Sequence, residues 1–113
     1  MLGKNHTVKL QNKNSSGKRF AFVLIESFSL LSFASAMDAL RIANRMSDQR
    51  LYDWILLGDG GETVSCSAGT SFQLDNDLIE LKRDDIIMLC GGIDVKANTS
   101  KKLLSWIRRE TRK

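Results

Sequence analysis

The residues of this 113-residue chain that could do chemistry are few: two cysteines, a pair of adjacent glycines at the end of an apolar run, and a Ser-Phe step that follows another. Gly91 and Gly92 directly follow Ile86-Ile87-Met88-Leu89-Cys90. Glycines at the carboxyl end of a parallel strand let backbone N–H groups approach a bound carboxylate or carbonyl, and open α/β sheets bind ligands at that end. Ser27 and Phe28 follow the run Phe20–Ile25 and would face the same crevice. Ser27 brings a hydroxyl, and Phe28 either an aromatic wall for a cation or a core ring. With Ile93, these residues are the candidate ligand-binding set: Ser27, Phe28, Gly91, Gly92 and Ile93. Cys66 and Cys90 stand in strand-like contexts with no metal-ligand spacing or disulfide framework, so both are expected to be buried, unreactive thiols in a reducing compartment. No cofactor or metal is implied. Gly58-Asp59-Gly60-Gly61 lacks the Lys-Ser/Thr of a phosphate loop and is flanked by acid, which makes it a turn. Asp75-Asn76-Asp77 lacks the following Gly and Glu of a calcium loop.

These candidates have to be held by a regular framework. Phe20–Ile25 is a continuous apolar run short enough for a buried strand, and Tyr52–Leu57 reads as a strand ended by Gly58-Asp59-Gly60-Gly61. Asp85–Cys90, apolar or small after its acidic start, has the pattern of a strand buried on both faces of a parallel sheet. Between the first two, Leu30, Phe33, Met37 and Leu40 recur at helical spacing behind Ser29 as N-cap, predicting a helix to about Met46. Its alanines suggest close packing on the sheet. Thr63–Ser67 and Thr70–Leu74 flank Ala68-Gly69 as two short strands about a turn. A last helix runs from Lys101 to Arg112, with Asn98–Ser100 at its start. Alternation of this kind predicts an α/β fold: a flavodoxin-like, three-layer parallel sheet with helices on both faces.

Composition narrows the function classes. At 42% hydrophobic the chain makes at most one domain with a modest core. No apolar run approaches the ~20 residues of a membrane span, and the basic start has no hydrophobic segment. The net charge of +4 is unevenly spread: residues 1–18 carry +4 and residues 101–113 carry +5, leaving the body at −5. An acidic body with basic ends is not a phosphate-binding face, so the folded part is expected to make no DNA contact. Residues 1–18, rich in Lys, Asn and Ser, are expected to be a disordered tail ahead of a domain spanning 19–113.

The runs Arg19-Phe-Ala-Phe-Val-Leu-Ile and Phe28-Ser-Leu-Leu-Ser-Phe-Ala-Ser-Ala-Met-Asp-Ala-Leu-Arg-Ile-Ala-Asn-Arg45 resemble the start of a known sensor domain. Leu51–Leu57, then Val64, Ser67 and Gly69, then the strand into Cys90-Gly91-Gly92, continue the likeness. The domain is the class I glutamine amidotransferase-like (PfpI-type) N-terminal module of AraC/XylS-family transcriptional regulators. The likeness covers about Arg19 to Arg109, and its most specific part is Leu40-Arg41-Ile42-Ala43-Asn44-Arg45.

The resemblance implies that residues 19–113 are the N-terminal portion of that domain. The sharp turn carrying a cysteine nucleophile in enzyme relatives, and the helix-turn-helix units, would lie beyond Lys113. Enzyme relatives place an acid just after the first strand, at a position held here by Leu30, while Glu26 falls earlier. Glu26-Ser27 stands where relatives often have Pro-Gly, and Ala39 where many have proline. In amidotransferases a glycine amide at the Gly91-Gly92 position helps bind an oxyanion. With no acid and no elbow, those amides are left to hold a ligand. The expected function is therefore non-catalytic: a cytoplasmic effector-sensing and dimerising region, binding a small metabolite, with amines such as betaine or carnitine among the effectors of similar regulators. DNA would be met only through the absent domain. The competing readings are an amidase, glyoxalase or deglycase-like enzyme of the same superfamily, and a small flavodoxin-like binding protein complete in itself.

Overall fold

A computed structural model describes residues 17–113, so the expectation of a disordered tail lies almost wholly outside the described residues. Seven elements follow in order: β1 (Lys18–Leu24), α1 (Leu30–Ser47), β2 (Tyr52–Leu57), β3 (Thr63–Ser65), β4 (Ser71–Gln73), β5 (Ile86–Cys90) and α2 (Lys101–Glu110). β1, β2 and β5 form a parallel three-stranded sheet in the order β2-β1-β5, and β3 and β4 form an antiparallel pair. This is the α/β, flavodoxin-like arrangement with a helix on each face.

Period-two alternation along β1 divides the core in two. Phe22 and Leu24 point to one face, where they meet Phe33, Met37 and Leu40 of α1 together with the hairpin residues Val64 and Phe72. Ala21, Val23 and Ile25 point to the other face and meet Leu103 and Trp106 of α2. The register keeps the neighbours in phase, with Phe22 level with Leu56 on one side and Met88 on the other. The segment between β4 and β5 closes the α2 face. Trp106 Nε1 donates to the Ile79 carbonyl at 2.7 Å, and the buried Glu110 carboxylate accepts from the Leu81 amide at 3.0 Å and the Lys113 ammonium at 2.9 Å. Burial pushes the Glu110 carboxyl up, but these donors outweigh it and hold it below the ordinary carboxylate value.

Both helix starts follow the sequence signals. Ser29 and Ser100 accept from the amides of Ser32 and Leu103, satisfying donors that a helix N-terminus leaves unpaired. Along α1 the packing differs from expectation. Only Phe33 is buried; Ala34 and Ala39 face solvent and so mark helix propensity, while Ala36 packs against the core and Ala43 is half-buried.

Within the Leu-Arg-Ile-Ala-Asn-Arg run, Asn44 has a clear structural role. Its amide donates to the Tyr52 carbonyl and its oxygen accepts from the Tyr52 amide, both at 2.9 Å, pinning α1 to the first residue of edge strand β2. Asn44→Ala removes both bonds at once. It is expected to cost about 1–3 kcal/mol in urea unfolding, at ~1 kcal/mol net per bond plus the penalty on any group left dry.

The run Asp85–Cys90 needs correction. β5 begins at Ile86, and Asp85 turns aside to accept two bonds from the Arg19 guanidinium, at 3.2 and 2.6 Å. Among the described residues the strand has one neighbour, β1, and lies at the edge of their sheet. Ile86 is therefore 37% exposed and Leu89 50% exposed, and the strand is not buried on both faces. Apolar composition reports what a strand could bury; the number of neighbours decides what it does bury.

Candidate functional site

The carboxyl ends of β1, β2 and β5 converge on the β1–α1 loop. That loop is held from two sides by backbone. The Ser27 amide donates to the Ser65 carbonyl at 2.7 Å, and the Phe28 carbonyl accepts from the Ser67 amide at 2.8 Å. On the opposite side the Ser29 amide donates to the Gly91 carbonyl at 3.0 Å. Phe28 thereby bridges Cys66 and Gly92. Ser27 adopts φ = 68°, a left-handed conformation that costs a non-glycine residue about 1 kcal/mol or more. The resemblance stated above places a glycine here in many relatives, and a left-handed φ is what glycine adopts most readily.

The Gly91-Gly92 pair has a packing role that the structure makes explicit. A Cβ on Gly92 would lie 2.5 Å from the Ser27 carbonyl oxygen and 3.0 Å from the Ser29 nitrogen, so only glycine lets the two loops touch. A Cβ on Gly91 would meet the Val95 side chain instead. Ser27, Gly91 and Gly92 are thus brought together at one rim, as expected. Ile93 is beside them in sequence and largely exposed. Phe28 is not part of the rim. Its ring is fully buried, edge-on to Phe33 and Phe72 at centroid distances of 5.7 and 5.6 Å, and takes the core alternative rather than that of a ligand wall.

A cavity of about 90 Å³ opens beside this rim, between the ends of β1 and β2. Leu24, Ile25, Val64, Leu74 and Leu103 give it apolar walls, and Glu26, Asp59 and Asn98 supply its polar groups. Glu26 accepts from the Ser65 amide through its carboxylate at 3.2 Å, and its carbonyl accepts from the Asn98 side chain at 3.2 Å. It has no ion-pair partner among the described residues. Asp59 accepts from the Ser100 hydroxyl at 2.5 Å and pairs with Lys102 at 3.3 Å, while Lys102 also reaches Asp77 at 3.1 Å. Bonds from the Leu78 amide and then from Lys102 hold the Asp77 carboxyl below its ordinary value, and the Asp77 and Asp59 carboxylates hold the Lys102 ammonium above its own. Glu26 is itself exposed, so the lining of this cavity includes one solvent-facing carboxylate that has no ion pair among the described residues.

Sequence reasoning passed over Glu26, Asp59 and Asn98 as members of a cavity. The available signal was Glu26 itself, a charge set immediately after a fully apolar strand. Asp59 and Asn98 are separated from it in sequence, and nothing local marks their convergence. Leu30, at the position where enzyme relatives carry an acid, is the first residue of α1 and packs on the Phe22–Phe33 core.

Neither cysteine is placed as a nucleophile. Both are buried, and burial pushes the Cys90 thiol up to about 11 from an ordinary 9.0. Alkylation of Cys90 in the native protein is therefore expected to stay slow at pH 7–9 and to rise only towards pH 11, whereas in denaturant it should rise at the lower pH of an ordinary free thiol. Native labelling that saturates near neutral pH would contradict this and revive a reactive thiolate.

No family model matches the chain. Over 102 residues it is 29% identical to the HTH-type transcriptional regulator GbdR of Pseudomonas aeruginosa, a match taking in 90% of this chain and 27% of that protein. To the HTH-type transcriptional regulator CdhR of the same species it is 34% identical over 90 residues, 80% of this chain and 26% of that one. The chain spans about a quarter of the length of these curated relatives. Among solved structures, an AraC family transcriptional regulator from Pseudomonas putida superposes with a TM-score of 0.65 at 25% identity, covering 83% of this chain and 60% of that one. The DJ-1 superfamily protein Atu0886 from Agrobacterium tumefaciens shares the fold, with a TM-score of 0.58 at 21% identity over 84% of this chain and 48% of its own. Sequence and fold agree: the chain matches the amidotransferase-like (PfpI-type) sensor domain of AraC-family transcriptional regulators.

Proposed function

We propose that this chain is the non-catalytic effector-sensing region of a cytoplasmic transcription regulator, and that its effector is a small metabolite carrying an alkylated ammonium group. The observation that carries the reading is the cavity at the ends of β1 and β2, apolar on most sides and faced by the unpaired carboxylate of Glu26. An exposed carboxylate beside apolar walls suits an alkylated ammonium group, whose charge gains from a counter-ion and whose methyl groups gain from leaving water. A betaine or carnitine has such a group, and its own carboxylate could be met by backbone amides at the Gly91-Gly92 rim beside Ser27 and Ile93. Regulation follows by population shift: effector binding favours one arrangement of the protomers, and the DNA-binding units of the full regulator read that arrangement. DNA contact belongs to those units and not to residues 17–113.

The enzyme alternative draws no support from the named relatives, which are transcriptional regulators. Isothermal titration with glycine betaine, carnitine and choline tests the proposal. At least one should bind, and Glu26→Gln should weaken it about tenfold or more, the equivalent of ~1.4 kcal/mol. The amide oxygen of the introduced glutamine can still accept from the Ser65 amide, so circular dichroism should be unchanged. Binding indifferent to Glu26→Gln, or no binding by any of the three, would overturn the cation-sensing assignment.

A further inference from the structure

We infer that Ser27 is a specificity-determining residue of the effector site: its hydroxyl donates to the effector's carboxylate, and the fold bears a strained backbone to keep it there. The inference rests on the effector reading above, and its test separates the two.

Among the described residues the non-glycine positions with positive φ are Ser27 at 68° and Asp48 and Asp94 at 58°. A short acidic side chain tolerates the left-handed conformation better than most, and Asp48 uses it to close α1 as C-cap. Ser27 is neither glycine nor aspartate, and it closes no helix. Its conformation is set by contacts around the loop. Its amide donates to the Ser65 carbonyl at 2.7 Å, and the Asn98 side chain holds the preceding carbonyl, that of Glu26, at 3.2 Å. Its own carbonyl oxygen lies so close to Gly92 that a Cβ there would be 2.5 Å away.

The hydroxyl gives the fold nothing in return. Ser27 is half-buried, and among the described residues its hydroxyl makes no hydrogen bond. The hydroxyls of Ser29, Ser47 and Ser100 all have backbone partners. Glycine would adopt the same φ without strain. A polar side chain kept at a strained position without a structural partner points to a ligand.

Position supplies the role. Ser27 follows Glu26, whose side chain helps line the cavity, and abuts Gly92 at the rim. It stands between the carboxylate assigned to the ammonium end and the amides assigned to the acid end. In a betaine one methylene separates those ends, so the ligand carboxylate would lie near Glu26 and be repelled by it. A hydroxyl between the two offsets that repulsion with a charge-assisted hydrogen bond. An ammonium ligand without a carboxylate leaves the hydroxyl unused.

Calorimetric titration of the full chain with glycine betaine, carnitine and choline, beside thermal unfolding, tests the inference in two variants. Ser27→Gly should raise Tm by about 4 °C or more, because it relieves the strain. It should also weaken whichever carboxylate-bearing effector binds by about fivefold or more. Ser27→Ala should weaken the same effector equally without raising Tm, since alanine keeps the strained Cβ. Choline affinity, where present, should change by less than about twofold in both. Unchanged affinity for the carboxylate-bearing effectors would overturn the inference and, if Glu26→Gln still weakens them, leave the ammonium reading standing. Equal losses for choline would overturn it as well, because the loop as a whole would then have been disturbed. A Ser27→Gly protein with no gain in Tm would remove the strain on which it is built. Binding by choline alone would contradict a carboxylate-reading hydroxyl, and binding by none of the three would overturn this inference and the effector reading together.

Discussion

Trp106→Ala is expected to remove about 3–5 kcal/mol of folding stability, enough to leave a small domain close to or beyond its unfolding limit. Trp106 is 2% exposed and lies at the centre of the α2 face, among Val23, Leu57, Leu81 and Leu103. It fastens two parts of the chain. Its ring covers the sheet, and its N–H holds the Ile79 carbonyl of the segment that leads into β5. Truncation therefore opens a large cavity and orphans a buried acceptor. Trp106→Phe separates the two effects. It keeps most of the apolar area and loses only the hydrogen bond, so it should cost about 1–2 kcal/mol. Thermal unfolding should show a drop of ~12 °C or more for alanine, and a much smaller one for phenylalanine. Equal losses from the two substitutions would mean that the hydrogen bond, and not the packing, secures α2.

Gly92→Ala should be the second most damaging single change, and Gly91→Ala should not be. The added methyl at position 92 meets three backbone atoms of the β1–α1 loop, the nearest at 2.5 Å. Backbone cannot rotate aside, so the loop must move. Overpacking of this kind costs about 1–3 kcal/mol, and here it would also shift Ser27 and displace the rim beside the cavity. At position 91 the obstacle is the Cγ2 atom of the exposed Val95, which has room to change rotamer. Urea unfolding should rank Gly92→Ala well below Gly91→Ala in stability. If the two behave alike, the glycines are not there to let the loops touch.

These two substitutions mark how much of the molecule was legible in the sequence. The three strands of the main sheet, the hairpin, both helices and their serine caps follow from period and capping residues that act within a few positions of each other. Gly91-Gly92 was legible as a special point because two glycines after an apolar strand have few other uses. What they do was not legible, since the Ser27 carbonyl that excludes a Cβ is more than sixty residues away. The edge position of β5 was hidden for a related reason. Five apolar residues look the same whether one neighbour covers them or two, and strand order is not written in local periodicity. Phe28 read equally well as wall or core until Phe33 and Phe72 were seen around it. The cavity was the least visible feature. Glu26, Asp59 and Asn98 come from three loops, and each has an ordinary local explanation as a strand end, a turn or a helix start.

Leu30 is packed at the start of α1, and burial holds Cys90 as a neutral thiol. The exposed Glu26 carboxylate at the end of β1 has no ion pair among the described residues and, on the reading proposed above, would attract and orient a cationic group.

The central claim is that a small molecule carrying an alkylated ammonium group binds at the ends of β1 and β2. Two-dimensional ¹H–¹⁵N NMR of the full chain, titrated with glycine betaine, carnitine or choline, tests it most directly. Saturable shifts are predicted at Ile25–Ser27, Gly58–Asp59, Val64 and Asn98, extending to Gly91–Ile93 for the two effectors that carry a carboxylate, and strongly diminished in Glu26→Gln. No shifts with any of the three, or saturable shifts confined to residues away from these loops, would contradict it.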